Sequence, residues 1–271
     1  MTEKKILKVD LATIRETACK GIRRAVVFLG LGVNAANNPN FREYELADIS
    51  PIHLLPEKIG VETIQQFKVE FGRWVTGCGL RELIESFALF LDKTYNAALF
   101  FSVHKNKVPQ AEANKMRAAF EKKGIEAKLQ ALKQFQIEPK FPEHLISIQR
   151  VRNCLTHRWG KVEAQDCNSS DELVLSWQGF DIFVETPTGK TIDLILPLKE
   201  EVLLPDGGTA MLRYSERTRC FKMGTVIQVE PRDLLEICNF VLISTDQIFK
   251  KTIECAIGLG VAIDNANVKT S

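Results

Sequence analysis

At 271 residues the chain is long enough for one large domain, or for one domain with a substantial insertion. An apolar share of 45% against 26% charged residues is ordinary for a globular protein and provides for a buried core. Its 36 basic and 34 acidic side chains nearly cancel, which excludes a uniformly basic coat for nucleic acid while leaving room for a local basic groove.

The opening MTEKKILKVD is charged and lacks the apolar stretch of a signal peptide. Residues 11–33 then repeat apolar side chains every three to four positions (Ile14, Ala18, Ile22, Ala25, Leu29), which predicts a helix. Within it, 25–36 is too short and too glycine-rich to span a bilayer. A loop containing AANNPN follows, and Pro51 and Pro56 predict irregular chain. From Glu62 the helical rhythm returns. Gly72, Gly77 and Gly79 are expected to divide it into a shorter helix and a longer one over 80–104. That longer helix is apolar on most faces and is the expected centre of the core. Pro109 ends it. A lysine-rich helix is expected over 110–135, and another from Pro142 to about residue 159.

The period then changes to two. Across 172–229 the pieces ELVLSW, FDIFVET, TIDLIL, AMLRYS, RCFKM and TVIQV predict five or six short strands, with turn chemistry at PTGK (187–190) and PDGG (205–208). Pro231 opens a last helix over 232–257, and the tail DNANVKTS is expected to fray. The fold class expected is mainly α, with a small antiparallel sheet inserted before the last helix (α+β overall). The expected division is 1–60 for the first helix and irregular loop, 61–160 plus 231–262 for the bundle, and 161–230 for the inserted sheet. Two loosely joined domains are the alternative. Seven cysteines, an odd number without any C-x-x-C pair, argue for reduced thiols and a cytoplasmic setting.

The strongest local signal is RVRNCLTHRWG (150–160). Arg152, Asn153 and His157 fit an Arg-x4–6-His pattern with a polar residue directly after the arginine. In this pattern and its helical setting the chain resembles the HEPN (higher eukaryotes and prokaryotes nucleotide-binding) superfamily over about residues 60–160 plus the last helix; the sheet departs from the minimal family plan. The resemblance implies a HEPN-like bundle and metal-independent RNA cleavage of the kind used in bacterial defence or toxin–antitoxin systems, without cofactor. His157 would move a proton, Arg152 would stabilise transition-state charge, and Asn153 would orient the histidine or a phosphate oxygen. It also implies a symmetric dimer with two motif helices face to face, and an antitoxin protein as a further partner. A non-catalytic HEPN-like module that binds nucleotide, RNA or protein is the alternative, and a plain helical scaffold is a third.

Helical geometry can be read independently of that resemblance. At about 100° per residue Asn153 and His157 share a face, with Arg150 close to it. Ile148, Val151, Leu155 and Trp159 form an apolar face, and Arg152 falls among them, about 140° from His157. An arginine so placed needs an anionic partner, for which Glu82 and Glu85 on the long helix are the candidates. Cys154 reads as a packed residue.

Elsewhere, Arg213, Arg217, Arg219 and Lys222 interleave with Tyr214 and Phe221. Such a surface can hold phosphates and stack a base, or simply be the solvated side of a sheet. Lysines in 105–133 can steer RNA or line a solvated helix. His53, His104 and His144 have no partner at ligand spacing, so no metal site is expected. GLGV at 30–33 and 258–261 neither follows a strand nor opens a helix, which removes a dinucleotide-binding reading.

Overall fold

A computed structural model describes residues 9–40, 60–194 and 207–261. The stretch with Pro51 and Pro56, the start of PDGG and the tail DNANVKTS lie outside them.

Helix α1 (Leu11–Asn37) starts where Asp10 accepts the Thr13 N–H at 3.1 Å, and it buries the predicted stripe Ile14, Ala18, Ile22, Ala25 and Leu29 against α2. Helix α2 (Val61–His104) is continuous over 44 residues, contrary to the expected division at its glycines. Those glycines face neighbouring helices. A Cβ on Gly79 would stand 2.8 Å from Leu234 Cδ2, Gly77 meets Leu155 and Gly72 meets Ala36. At Gly79 the missing Cβ makes room for Leu234, and that packing offsets a helix-propensity cost of about 1 kcal/mol; at Gly72 and Gly77 a Cβ would make only ordinary contact. As expected, the stretch after Gly79 is the centre of the core: Leu80, Leu83, Phe87, Phe90, Leu91 and Leu99 are all fully buried.

The lysine-rich stretch is two helices rather than one, α3 (Gln110–Glu121) and α4 (Ile125–Leu132), with Gly124 at the N-cap of the second and a 3-10 turn, Lys133–Phe135, after it. Helix α5 (Pro142–His157) begins on its proline and ends at the motif histidine. Both the Arg158 and Gly160 N–H groups close on Cys154 O, and Trp159 and Gly160 take left-handed backbone (φ 54° and 79°). Trp159 is therefore outside the helix and 95% exposed, not part of the apolar face assigned to it.

The sheet has three described strands, β1 (Glu172–Glu185), β2 (Thr191–Leu194) and β3 (Thr209–Lys222), antiparallel in the order β2-β1-β3. Five or six short strands were expected. Instead ELVLSW runs into FDIFVET, and AMLRYS into RCFKM, because the ladder carries through the Gly179–Ser215 pair without a turn. Gly179 marks a close approach rather than a break, since a Cβ there would lie 2.9 Å from the Arg217 side chain. TVIQV is not a strand; it makes one bridge, Val226 to Lys161. PTGK is a turn as expected, with Gly189 at φ 78°.

Alternation places Leu173, Leu175 and Trp177 of β1 inward against α5 and α6 (Pro231–Gly258), all fully buried, so sheet and bundle share one core. A polar bracket ties α5 to β1. Ser147 Oγ donates to Ser176 O and accepts its N–H, each at 3.0 Å. Buried His144 sits between Ser176 Oγ (2.7 Å from Nδ1) and the Gln178 amide (3.2 Å from Nε2). Among the described residues no helix is long and apolar enough to cross a membrane, and no group of three or more histidine, cysteine or acidic side chains is placed to hold a metal ion.

Candidate functional site at the end of α5

The motif occupies the last two turns of α5, and its side chains divide between two faces. Arg152 points toward α2. Its Nη2 donates to Glu85 Oε1 at 2.7 Å and its Nη1 to Asn153 Oδ1 at 3.2 Å. The Nε–H of Arg152 is buried without a partner among the described residues, the kind of orphan that costs stability unless something satisfies it. Of the two candidate acids, Glu85 is the partner. Glu82 pairs instead with Arg24 of α1 at 2.6 Å. The Glu85 side chain keeps 57% exposure, so the arginine is not sealed in the core as its helical position suggested.

On the other face, Arg150 and Asn153 line a cleft of about 790 Å³ between α4 and α5, with Leu129 and Ile146 on its apolar side and Gln130 and Gln149 among its polar groups. Arg150 is half-buried and makes no ion pair among the described residues. His157 lies one turn beyond Asn153, exposed at the helix C-terminus, with no hydrogen-bond partner among the described residues. Within one chain, then, the structure gathers Arg150, Asn153 and His157 along one side of α5. It does not bring Arg152 and His157 together.

The turn after the motif is rigidly held. Arg158 forms a two-pronged ion pair with buried Asp166, whose carboxylate also accepts the Glu163 N–H at 3.0 Å. Burial pushes the Asp166 carboxyl up, but the Arg158 guanidinium and the backbone donor outweigh it, and the pKa falls below its ordinary value. Beside them Cys154 is buried, with its thiol 3.3 Å from Lys161 O. Burial, reinforced by Asp166, pushes that thiol up to about 11, so it is a packed group rather than a nucleophile.

The proposed basic sheet surface is mostly neutralised. Arg217 pairs with Asp181 and lies 3.5 Å from Glu236 of α6; Arg219 grips Asp233 with two bonds of 2.8 Å. Arg213 pairs with Asp193 at 3.3 Å. Lys222 alone of the four makes no ion pair among the described residues, and it lies exposed at the end of β3. There the turn 222–226 bonds back to the segment after the motif, through Val162 N to Thr225 O (2.9 Å) and Gly224 N to Val162 O (2.8 Å).

Sequence reasoning missed two features of this region. One is the anchor pair Arg158–Asp166, whose partners lie in a helix end and a 3-10 turn that no periodicity links. The other is the exposure of Trp159, for which Gly160 is the available signal: a glycine two residues past the C-cap Arg158 marks a left-handed exit that turns its neighbour outward. No protein-family model, curated protein or solved structure matches the chain.

Proposed function

We propose that the chain is a HEPN-like protein acting on RNA through the C-terminal end of α5, as a metal-independent endoribonuclease. The observation that carries this reading is His157, solvent-open and without a partner among the described residues, one turn beyond Asn153 and two turns beyond Arg150 on the same helix side. An imidazole so placed can take the proton of a ribose 2′-hydroxyl, or in its protonated form give one to the departing 5′-oxygen. As the 2′-oxygen bonds to phosphorus the P–O5′ bond breaks, leaving a 2′,3′-cyclic phosphate and a 5′-hydroxyl. That chemistry selects RNA over DNA because the nucleophile belongs to the ribose.

Since Arg152 and His157 diverge within one chain, the reading requires a twofold pair of motif helices, with one cleft shared between copies. The decisive experiment incubates the protein with RNA and a chelator at several protein concentrations. Cleavage that survives chelation and is lost in His157→Ala supports the reading; cleavage that needs added metal ends it.

A second reading has its own observation. Both outer nitrogens of Arg152 are already engaged, by Glu85 and Asn153. A guanidinium held in this way serves a non-catalytic HEPN-like module that binds RNA, nucleotide or a partner protein such as an antitoxin. RNA binding without cleavage by the wild-type protein identifies that case.

A further inference from the structure

We infer that Trp159 is a stacking platform for an unpaired nucleobase, set between His157 and a pair of lysines, Lys161 and Lys222, that track the phosphate chain. The inference rests on the proposal that the end of α5 contacts RNA, and it names the form of that RNA: single-stranded, with at least one base splayed out at the turn.

Among the described residues Trp159 is the most exposed of the large apolar side chains, at 95%, while Trp177 is fully buried and Trp74 is 63% exposed. Its backbone adopts φ 54°, a left-handed conformation that bulky residues avoid. A turn that combines unfavourable backbone with a fully wetted indole gains nothing for the folded monomer. Nor is the projection an effect of a loose loop. On one side Arg158 is fastened to Asp166; on the other the Gly160 N–H bonds to Cys154 O at 3.1 Å and its carbonyl accepts the Ile227 N–H at 2.8 Å. The indole is presented on a fixed mount, which lowers the ordering cost of binding a planar partner.

The surroundings decide what that partner is. Lys161 follows in the chain and pairs with Val226, and exposed Lys222 begins the turn that bonds to this segment. Arg150 and His157 lie on the helix that enters the turn. Val226 and Met223, 62% and 49% exposed, are the apolar side chains of the turn that bridges to Lys161. An exposed aromatic in a turn that also carries exposed Lys161, and that is bonded to the turn beginning at Lys222, suits a base with flanking phosphates, since every base offers a face for stacking and the chain supplies the charge. A second copy of the protein would bury a broader apolar patch than this one.

The test uses the full-length protein and a fluorescein-labelled 12-nucleotide RNA with 2′-O-methyl riboses, which cannot be cleaved and so separates binding from catalysis. Trp159→Ala is expected to weaken binding roughly 5- to 150-fold, the usual effect of losing one stacked base. Trp159→Phe should recover most of it, and a self-complementary duplex of the same RNA should bind less well than the single strand. Lys161→Ala with Lys222→Ala should flatten the dependence of log K on log salt by roughly 1.4, two phosphates' worth for a single strand. Circular dichroism confirms that each variant is folded. Unchanged binding in Trp159→Ala overturns the inference, as does a Trp159→Ala protein that binds RNA normally but changes from dimer to monomer on sedimentation. Wild-type protein that fails to bind the oligonucleotide overturns it as well. If Trp159→Ala weakens binding while natural RNA stays uncut by wild type, the platform stands and the nuclease reading falls.

Discussion

Arg152 reaches from α5 to Glu85 on α2 across 2.7 Å, but the carboxylate that receives it remains 57% exposed. A charge-assisted bond with one wet partner contributes about 1 kcal/mol, far below a sealed ion pair. Arg152→Ala should therefore lower the unfolding free energy by about 1 kcal/mol, partly offset because it also removes the orphaned Nε–H. A double-mutant cycle with Glu85→Ala, followed by urea denaturation, measures the coupling. A coupling of about 3 kcal/mol or more would mean that the pair is buried and that its role is structural.

His157 is exposed and makes no hydrogen bond or ion pair among the described residues, so stability and activity should separate cleanly there. His157→Ala is expected to leave the melting temperature unchanged while reducing RNA cleavage by about 100-fold or more. Gel analysis of a uniformly labelled RNA, run beside thermal melts, reads both. A variant that melts early would place the imidazole in the packing instead.

The fold of the bundle was legible because its carriers are local: one stripe on α1, one long apolar segment in α2, prolines at the starts of α5 and α6, and alternation in β1. Boundaries were misread where a glycine serves packing rather than punctuation. Gly79 was expected to divide a helix, and the strand pieces on either side of Gly179 were read as separate; both glycines are contact points, which only the neighbouring Leu234 and Arg217 reveal. At the site, the helical wheel separated Asn153 and His157 from Arg152 correctly. It overreached at Trp159, since an ideal wheel continues past the last helical residue and the chain does not. The sheet arginines looked free because their partners are distant in sequence: Asp181 and Asp193 on neighbouring strands for Arg217 and Arg213, and Asp233 on α6 for Arg219.

Acid should loosen the turn after the motif. The folded Asp166 carboxyl titrates below the ordinary aspartate value of 3.8, so the folded state binds fewer protons than the unfolded chain in that range. Its contribution is complete well above 3.8 and is lost as pH falls through that value toward the depressed one. Asp166→Asn should cost about 2–3 kcal/mol near neutral pH, because Arg158 loses its counter-charge, and should make the urea midpoint fall less between pH 6 and pH 3. An acid slope equal to that of wild type would remove Asp166 as its source.

Two glycines of α1 make opposite predictions for the same substitution. A Cβ on Gly21 would land on the Ser86 side chain of α2, whereas one on Gly30 would meet nothing within 4 Å. Gly30→Ala should stabilise by about 0.5–1 kcal/mol through helix propensity alone. Gly21→Ala gains the same propensity but must push α1 and α2 apart, for a net loss of about 1–2 kcal/mol. Paired thermal melts decide it, and the same sign in both would show that the α1–α2 contact is looser than described.

The hydroxyl bracket between Ser147 and Ser176 has a bearing on how the gene can change. The Ser147 hydroxyl is bonded to the backbone N–H and C=O of residue 176, which any side chain there would still present, whereas His144 depends on the Ser176 hydroxyl itself. It is therefore His144 and Ser176, rather than the two serines, that are tied to vary together. A version of this chain from which 161–230 had been excised would have to find new occupants for the space filled by Trp177 before its motif helix could stand straight.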